Sequence, residues 1–346
     1  MKGMTYKSSA RSSCPACHGT NCFPVRVVEV EEAAQHFVLR EDDQERHQAL
    51  ARHICSLWNG PTCDIVECKA CGFGFASPFQ SGDSRFYELA YPTIGYPREK
   101  WEFTRTIQKL ADLDTAGKSA LEVAAGNGFF LDKIAGRFFK KPSITATEYN
   151  SRSIKVLQSK GYLAISEDVR ADYFGDKHQA YDFVFMFQVI EHMAHLDELF
   201  DRLHMILRPG GSVFITVPNR TWTAFEEATA SLFIDMPPNH ISRWTPKAFS
   251  AIGERVGLRM VACEFEPFDA LAFLSFDLFL AHRHRSKNPA TLANLARRIP
   301  RGTLRKWSEG GLMALSAPLR LGAWATALPN RHGLGASLWV QLTRPQ

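Results

Sequence analysis

No run of about 20 residues in this chain is free of charge, so no helix in it is expected to span a membrane. The opening residues MKGMTYKSSARSSCPACHG lack the apolar middle segment of a secretory leader, and a cytoplasmic location is expected, with peripheral membrane contact left open. A third absence concerns Ser119–Phe130, SALEVAAGNGFF. A dinucleotide fingerprint G-x-G-x-x-G needs Gly or Ala at position 131, and Leu131 stands there. Nor is the chain uniformly basic. Its formal net charge is +5, yet ten Lys/Arg against three Asp/Glu fall between Asp269 and Gly335, so the remainder is slightly acidic. Apolar (45%) and charged (22%) fractions are those of a globular protein, and 346 residues exceed one average domain of ~100–200.

What is present centres on the same stretch. Leu121, Val123 and Ala124 suit a strand covered on both faces. Gly126 and Gly128 allow a tight turn and close approach of a ligand, and the helix that follows offers free N–H groups to it. Glu122 is an acid within an apolar strand. A buried carboxylate is costly unless paired, so Glu122 serves either a cationic ligand or the turn itself.

Eight cysteines include Cys14-Pro-Ala-Cys17 and Cys68-Lys-Ala-Cys71, two Cys-x-x-Cys knuckles with the pattern of a zinc ribbon. Four thiolates saturate a tetrahedral ion, so a structural Zn2+ is expected, with His18 and Cys63 as the nearest rival ligands. Strands are expected near VRVVEV and TCDIVEC, and a helix or charged insertion at EDDQERHQALARHICSLW.

Further on, helices are expected over 98–114, 129–140, 151–160 and 197–207, and strands over 143–148, 162–167, 183–188, 211–218 and 258–267. The second core strand ends in Glu148, followed by Tyr149. The third is followed by Glu167 and Asp168. The fourth ends in Gln188, followed by Glu191-His192. Leu207-Arg-Pro-Gly-Gly211 reads as a helix stop and turn. Thr245-Pro246 caps and opens a helix.

The acid-x-x-x-Gly-x-Gly turn, the acid at the end of strand two, the Glu191-His192 pair and the LRPGG turn, in that order, resemble the class I S-adenosylmethionine (SAM) dependent methyltransferases, with Ala124 in place of the first motif glycine. The resemblance implies an α/β fold: a Rossmann-like seven-stranded sheet of order 3-2-1-4-5-7-6. It implies a zinc module over 1–80, a linker and leading helix over 81–118, and a SAM-binding core over 119–268. A basic helical insertion over 269–334 and a final strand over 335–346 complete the division. It assigns SAM contacts to Glu122, Ala124, Gly126, Gly128, Glu148, Tyr149, Asp168 and Gln188, with two ribose hydroxyls on Glu148 and the adenine amine on Asp168 in preference to Glu167. In quinone O-methyltransferases a Glu-x-x-Glu-His set near Glu191 can hold a divalent ion, but the first member here is Gln188, which disfavours a second metal near Glu191 and His192 and leaves the question open.

The segment DMPPNHISRWT resembles one in methyltransferases of polysaccharide and deoxysugar pathways. In sugar C-methyltransferases a Glu-His pair there removes a proton. Asn239-His240 lacks the acid, which leaves His240 as the expected base or substrate contact, His192 as the reserve base and Glu191 beside it. Tyr87, Tyr91 and Tyr96 are candidate substrate contacts or interdomain packing. The implied substrate is a small molecule or glycan precursor. An rRNA methyltransferase is disfavoured by the absence of an N-P-P-Y type motif and of basic charge in the cysteine module. A degenerate SAM-fold scaffold is the non-enzymatic alternative. The basic insertion is expected to cover the site, bind an acidic substrate or lie on a membrane surface. Oligomeric state is not readable.

Overall fold

A computed structural model describes residues 13–91, 95–230, 233, 235–286, 288, 290–300, 302–327, 333 and 335–346. Residues 1–12, on which the reading of the opening segment partly rests, lie outside the described residues. In chain order the strands are β1 (Cys22–Glu29), β2 (Thr62–Cys68), β3 (Gly74–Ser77), β4 (Ala120–Val123), β5 (Ile144–Thr147), β6 (Leu163–Ile165), β7 (Tyr181–Phe187), β8 (Leu207–Pro218), β9 (Ser242–Arg243), β10 (Arg259–Phe265) and β11 (Ser337–Thr343). The chain divides into two compact units. One comprises Met1–Val217, Met236–Glu264 and Trp339–Gln346, and the other Pro218–Asp235 and Phe265–Leu338.

The large sheet has seven strands in the order β10-β11-β8-β7-β4-β5-β6. Numbered from β4 along the core, that order reads 3-2-1-4-5-7-6. Pairing of β4 with β5 and β7, and of β7 with β8, is parallel. Every residue of β4, β5 and β7 is buried, as expected for strands covered on both faces. Phenylalanines fill one side: the Phe130 ring lies 4.9 Å from Phe185 and 4.7 Å from Phe187, edge to face.

Two local expectations are corrected. The helix after the glycine turn spans Phe129–Ile134 and not 129–140. Gly136 turns the chain with φ 76°, and its N–H bonds to Phe139 O at 2.8 Å. The turn buries Phe139 against Phe183 and Phe185, which a continued helix would not do. The LRPGG segment is not a turn before a strand but the first part of β8. Gly210 N and Gly211 O both pair with the backbone of Arg344, extending the ladder into the chain end.

The cysteine segment forms a second, four-stranded sheet, β1-β2-β3-β9. Its last strand comes from far along the chain, with Phe75 opposite Ser242 and Gly74 opposite Arg243. A helix, Gln44–Trp58, fills the charged stretch between β1 and β2; Asp43 caps it and Asn59 ends it in the left-handed conformation. Trp244 is buried between Phe73 and Phe249, at ring separations of 4.8 and 4.4 Å. Thr245 closes the seam. Its hydroxyl donates to Cys71 O at 2.7 Å and accepts from Ala248 N at 3.0 Å, capping the helix Pro246–Val256.

Within the second unit, helices Ala270–Ser286, Leu292–Arg297, Thr303–Ser316 and Leu321–Ala327 follow one another. Trp222 and Phe273 form its small core, and Arg320 clamps the buried Asp277. No helix among the described residues is long and apolar enough to cross a membrane.

Thr245→Ala removes a helix cap and a bond to the cysteine sheet together. Urea denaturation should show a loss of about 1–2 kcal/mol, whereas a change within experimental error would mean that the seam is held by the aromatic packing alone.

Candidate active site

The carboxyl ends of β4 and β5 bring the predicted cofactor residues together. After β4 the backbone turns through Ala124 (φ 56°), Gly126 (φ 56°) and Gly128 (φ 72°). Ala124 tolerates the left-handed conformation because its N–H is held by Thr147 Oγ1 at 3.1 Å and Ala125 N by Thr147 O at 2.9 Å. A side chain on Gly126 would come within 2.7 Å of the Tyr96 ring, and one on Gly128 within 2.7 Å of Leu157. The positive φ favours glycine at both positions, and at Gly126 the Tyr96 ring crowds the same space.

Glu148, 7% exposed, accepts three backbone bonds: Gly126 N on Oε2 at 2.8 Å, and Tyr149 N and Asn150 N on Oε1 at 2.8 and 2.9 Å. An ionised carboxylate has about four acceptor positions. The three N–H groups leave roughly one for a further hydroxyl, so a two-hydroxyl contact needs one of these bonds to be shared. Glu122 is also buried, at 4% exposed, and its Oε2 has no hydrogen-bond partner among the described residues. Burial raises its carboxyl well above the usual range, against a lowering by Lys100 and in concert with Glu148 and Asp132.

Asp168 does not stand open as the adenine reading implies. Arg170 Nε and Nη2 bind its two oxygens at 2.7 Å each, Arg170 N adds a bond at 2.8 Å, and Tyr149 Oη donates at 3.0 Å. Burial pushes its acid strength down, but these donors win and hold the carboxyl below its ordinary value. Tyr149 itself is 65% exposed.

The end of β7 supplies a second group. Gln188 has φ 57° and its N–H bonds Thr216 O at 2.9 Å, which anchors the strand end to β8. Glu191 is buried, and its backbone O accepts from Ile241 N at 2.9 Å. This bond draws in the DMPPNHISRW segment, so the His192 and His240 rings meet edge to face at 4.8 Å. His192 Nδ1 lies 2.9 Å from Asn239 O and 3.5 Å from Tyr87 Oη, and its Nε2 lies 3.8 Å from Glu191 Oε1. Glu191, His192 and His240 offer one ligand atom each within 4.8 Å of one another, so a cluster forms here despite Gln188. Sequence reasoning named all three but not their contact. Of the three tyrosines, Tyr87 reaches this group, Tyr96 covers Gly126, and Tyr91 packs edge-on to Phe37 at 5.8 Å.

The thiols of Cys14, Cys17, Cys68 and Cys71 also lie within 4.8 Å of one another. Cys14 Sγ is 3.7 Å from Cys71 Sγ, and Cys17 Sγ 3.5 Å from Cys68 Sγ, close to the ~3.8 Å edge of a tetrahedron with bonds of about 2.3 Å. Four such groups cannot ionise independently. The Cys71 thiol donating to Cys14 pulls Cys14 down to about 5, and the same bond pushes Cys71 up. The rival ligands are placed elsewhere: His18 Nε2 pairs with Asp197 at 3.0 Å, and Cys63 sits in the β1–β2 ladder opposite Val28. Burial raises Cys22 to about 12, which keeps this fifth thiol protonated.

Residues 97–263 match the family model described as "Methyltransferase domain". The Ubiquinone biosynthesis O-methyltransferase of Bartonella tribocorum is 25% identical over 157 residues, 44% of this chain and 60% of that protein. The mitochondrial one of Mus musculus is 24% identical over 214 residues, 58% of this chain and 54% of that protein. The chain therefore spans less than two thirds of the length of these curated relatives. Among solved structures, a SAM dependent methyltransferase from Archaeoglobus fulgidus overlays with a TM-score of 0.44 and 16% identity, covering 75% of this chain and 100% of that one.

Glu122→Gln tests the buried carboxylate. A raised folded-state pKa means that the wild-type contribution is most favourable below the unfolded value of about 4.3 and is lost as pH rises towards the folded one. In thermal melts without ligand, the stability of Glu122→Gln relative to wild type should improve from pH 4.5 to pH 8. A difference that is flat with pH would mean that Glu122 is ionised and compensated.

Proposed function

We propose that the chain is a SAM-dependent methyltransferase that methylates a proton-bearing oxygen or nitrogen of a small molecule or glycan precursor, with a structural Zn2+ on Cys14, Cys17, Cys68 and Cys71. The observation that carries this reading is the buried, unpartnered oxygen of Glu122 at the mouth of a glycine turn, one strand from Glu148. Such an atom calls for a cationic or hydrogen-bonding ligand, because leaving it unsatisfied costs on the order of 1–3 kcal/mol or more. When bound, SAM supplies an activated methyl group on a sulfonium cation, together with an ammonium group.

Glu122 would offer its spare oxygen to a donor on that cation. Glu148 would accept a ribose hydroxyl at its remaining acceptor position while it fixes Gly126. Tyr96, against Gly126, would move aside or stack on the ligand. His192 Nδ1 faces a carbonyl, which only accepts, so that nitrogen carries the proton and Nε2 holds the lone pair. A proton taken at Nε2 makes an imidazolium 3.8 Å from Glu191 Oε1, which stabilises it. His240, packed on the same ring, would orient the acceptor group or share the proton. Oxygen is favoured as the acceptor atom, because the curated relatives are named O-methyltransferases.

In calorimetry, Glu148→Ala should weaken SAM binding at least about tenfold, and Glu148→Gln by less, since it retains an acceptor. His192→Ala and His240→Ala should leave the affinity within about twofold and slow methyl transfer from labelled SAM into a panel of phenols and nucleotide sugars by about 10²–10⁴. Absence of SAM binding by the wild-type chain would end the enzymatic reading in favour of a scaffold. Loss of turnover with EDTA, restored by Mg2+, would give Glu191, His192 and His240 to a metal instead of a proton.

The zinc assignment is tested separately. Metal analysis should find about one zinc per chain, and Cys14→Ser or a strong chelator should lower the unfolding temperature sharply, because such sites contribute on the order of 10 kcal/mol. A metal-free protein with an unchanged melt would make the four thiols plain core residues.

A further inference from the structure

The second unit carries an outward face that its own packing does not explain. On the helix Thr303–Ser316, Leu304, Trp307 and Leu315 are 71%, 77% and 78% exposed, and their spacing of three and eight residues places them on one stripe. The stripe continues into Leu319, also 78% exposed. Buried surfaces do not use these side chains, and a contiguous apolar strip of this kind marks an interaction site. The preceding helix, Leu292–Arg297, likewise exposes Leu292 (69%) and Leu295 (61%).

Charge narrows the partner. Between Asp269 and Gly335 basic residues outnumber acidic ones ten to three. Two of the three acids are engaged internally: Asp277 is buried under Arg320 and Trp324, and Glu309 is paired with Arg305 along the helix. Lys306 and Arg298 remain on the exposed side with the leucines. A nucleic acid would engage the cations but gain nothing from solvent-facing leucines. An acidic protein groove would not require tryptophan at a polar boundary. A bilayer with anionic headgroups satisfies both features, since aliphatic side chains enter the acyl boundary, tryptophan sits at headgroup level and basic residues near the surface are drawn to the headgroups.

We propose that the helices Leu292–Arg297 and Thr303–Ser316 dock on an anionic lipid surface, with Leu304, Trp307 and Leu315 inserted and Arg298 and Lys306 at the headgroups. The inference is independent of the methyl-transfer reading.

The test is flotation of the full-length chain with vesicles of phosphatidylcholine alone and of phosphatidylcholine with about 30% phosphatidylglycerol. The chain should float with the anionic vesicles and at least tenfold less with the neutral ones. Leu304→Ser/Trp307→Ser should reduce the anionic partition at least tenfold, and Lys306→Glu/Arg298→Glu should do so most at low salt. Circular dichroism melts confirm that each variant is folded, and the charge pair gives an independent reading should the serine pair misfold. Equal flotation of wild type and both variants would overturn the proposal. So would a stripe that proves to be a self-association surface, with a wild-type dimer in sedimentation equilibrium that becomes monomeric in Leu304→Ser/Trp307→Ser and no vesicle binding. A salt-sensitive shift of single-stranded RNA that survives the serine substitutions, without vesicle binding, would overturn it in favour of nucleic acid.

Discussion

A carboxylate sealed inside a protein must be surrounded by donors, and Glu148 is surrounded by three backbone N–H groups from two different loops. That constraint organises the carboxyl edge of the large sheet. Gly126 belongs to the turn after β4, and Tyr149 and Asn150 to the chain leaving β5. Bonds to a charged acceptor are worth about 1.5–3 kcal/mol each, so the two strand ends are held at a fixed separation. The tie then propagates. Asn150 caps the next helix through Arg152 N and Ser153 N, and Ser153 Oγ returns to Asn127 Oδ1 at 3.0 Å, back in the glycine turn. The loop pair is a closed circuit of hydrogen bonds, which is what preorganised recognition of a small ligand requires.

Glu122 stands just outside that circuit and differs from Glu148 in one respect. Both are buried acids at neighbouring strand ends, but both oxygens of Glu148 have donors and Glu122 retains an orphaned oxygen. The contrast lies in hydrogen bonding and not in burial, which the two share. A fold that can satisfy one acid with three N–H groups has the means to satisfy the other, and a protein that only needed apolar packing at position 122 would place a leucine there. The cost of the orphan is intelligible if a cationic group arrives to offset it.

How much of this was legible in the sequence depends on how local the cause is. The glycine turn, the acid at position 148 and the thiol pairs were readable because their spacing is set by one or two turns of backbone. The early end of the helix at Ile134 was not, because it depends on Phe139 finding Phe183 and Phe185 on another strand. The same holds for β9, two residues long, whose only reason to be a strand is the open edge of β3. Tyr96 over Gly126 and Arg170 clasping Asp168 escaped notice for a related reason. A motif assigns a residue to a ligand, while the protein's own side chains compete for the same surface. In the helical unit the basic composition was plain, but which side chains face out could be decided only by seeing which residues Asp277 and Trp222 had already recruited.

The histidine pair shows how a missing residue can mislead. Position 239 holds Asn where sugar C-methyltransferases have an acid, and from sequence that weakens His240 as a base. In the fold, Asn239 contributes its backbone carbonyl to His192 Nδ1, a role for which the side chain is irrelevant. The acid comes from Glu191 instead, beside His192 Nε2. A carbonyl on one ring nitrogen and a carboxylate near the other are the surroundings that the proposed role of His192 as a base calls for. The Ile241–Glu191 backbone bond joins the two segments that bring these groups together. The placing of His192 beside His240 depends on that bond more directly than on the side chain of residue 239.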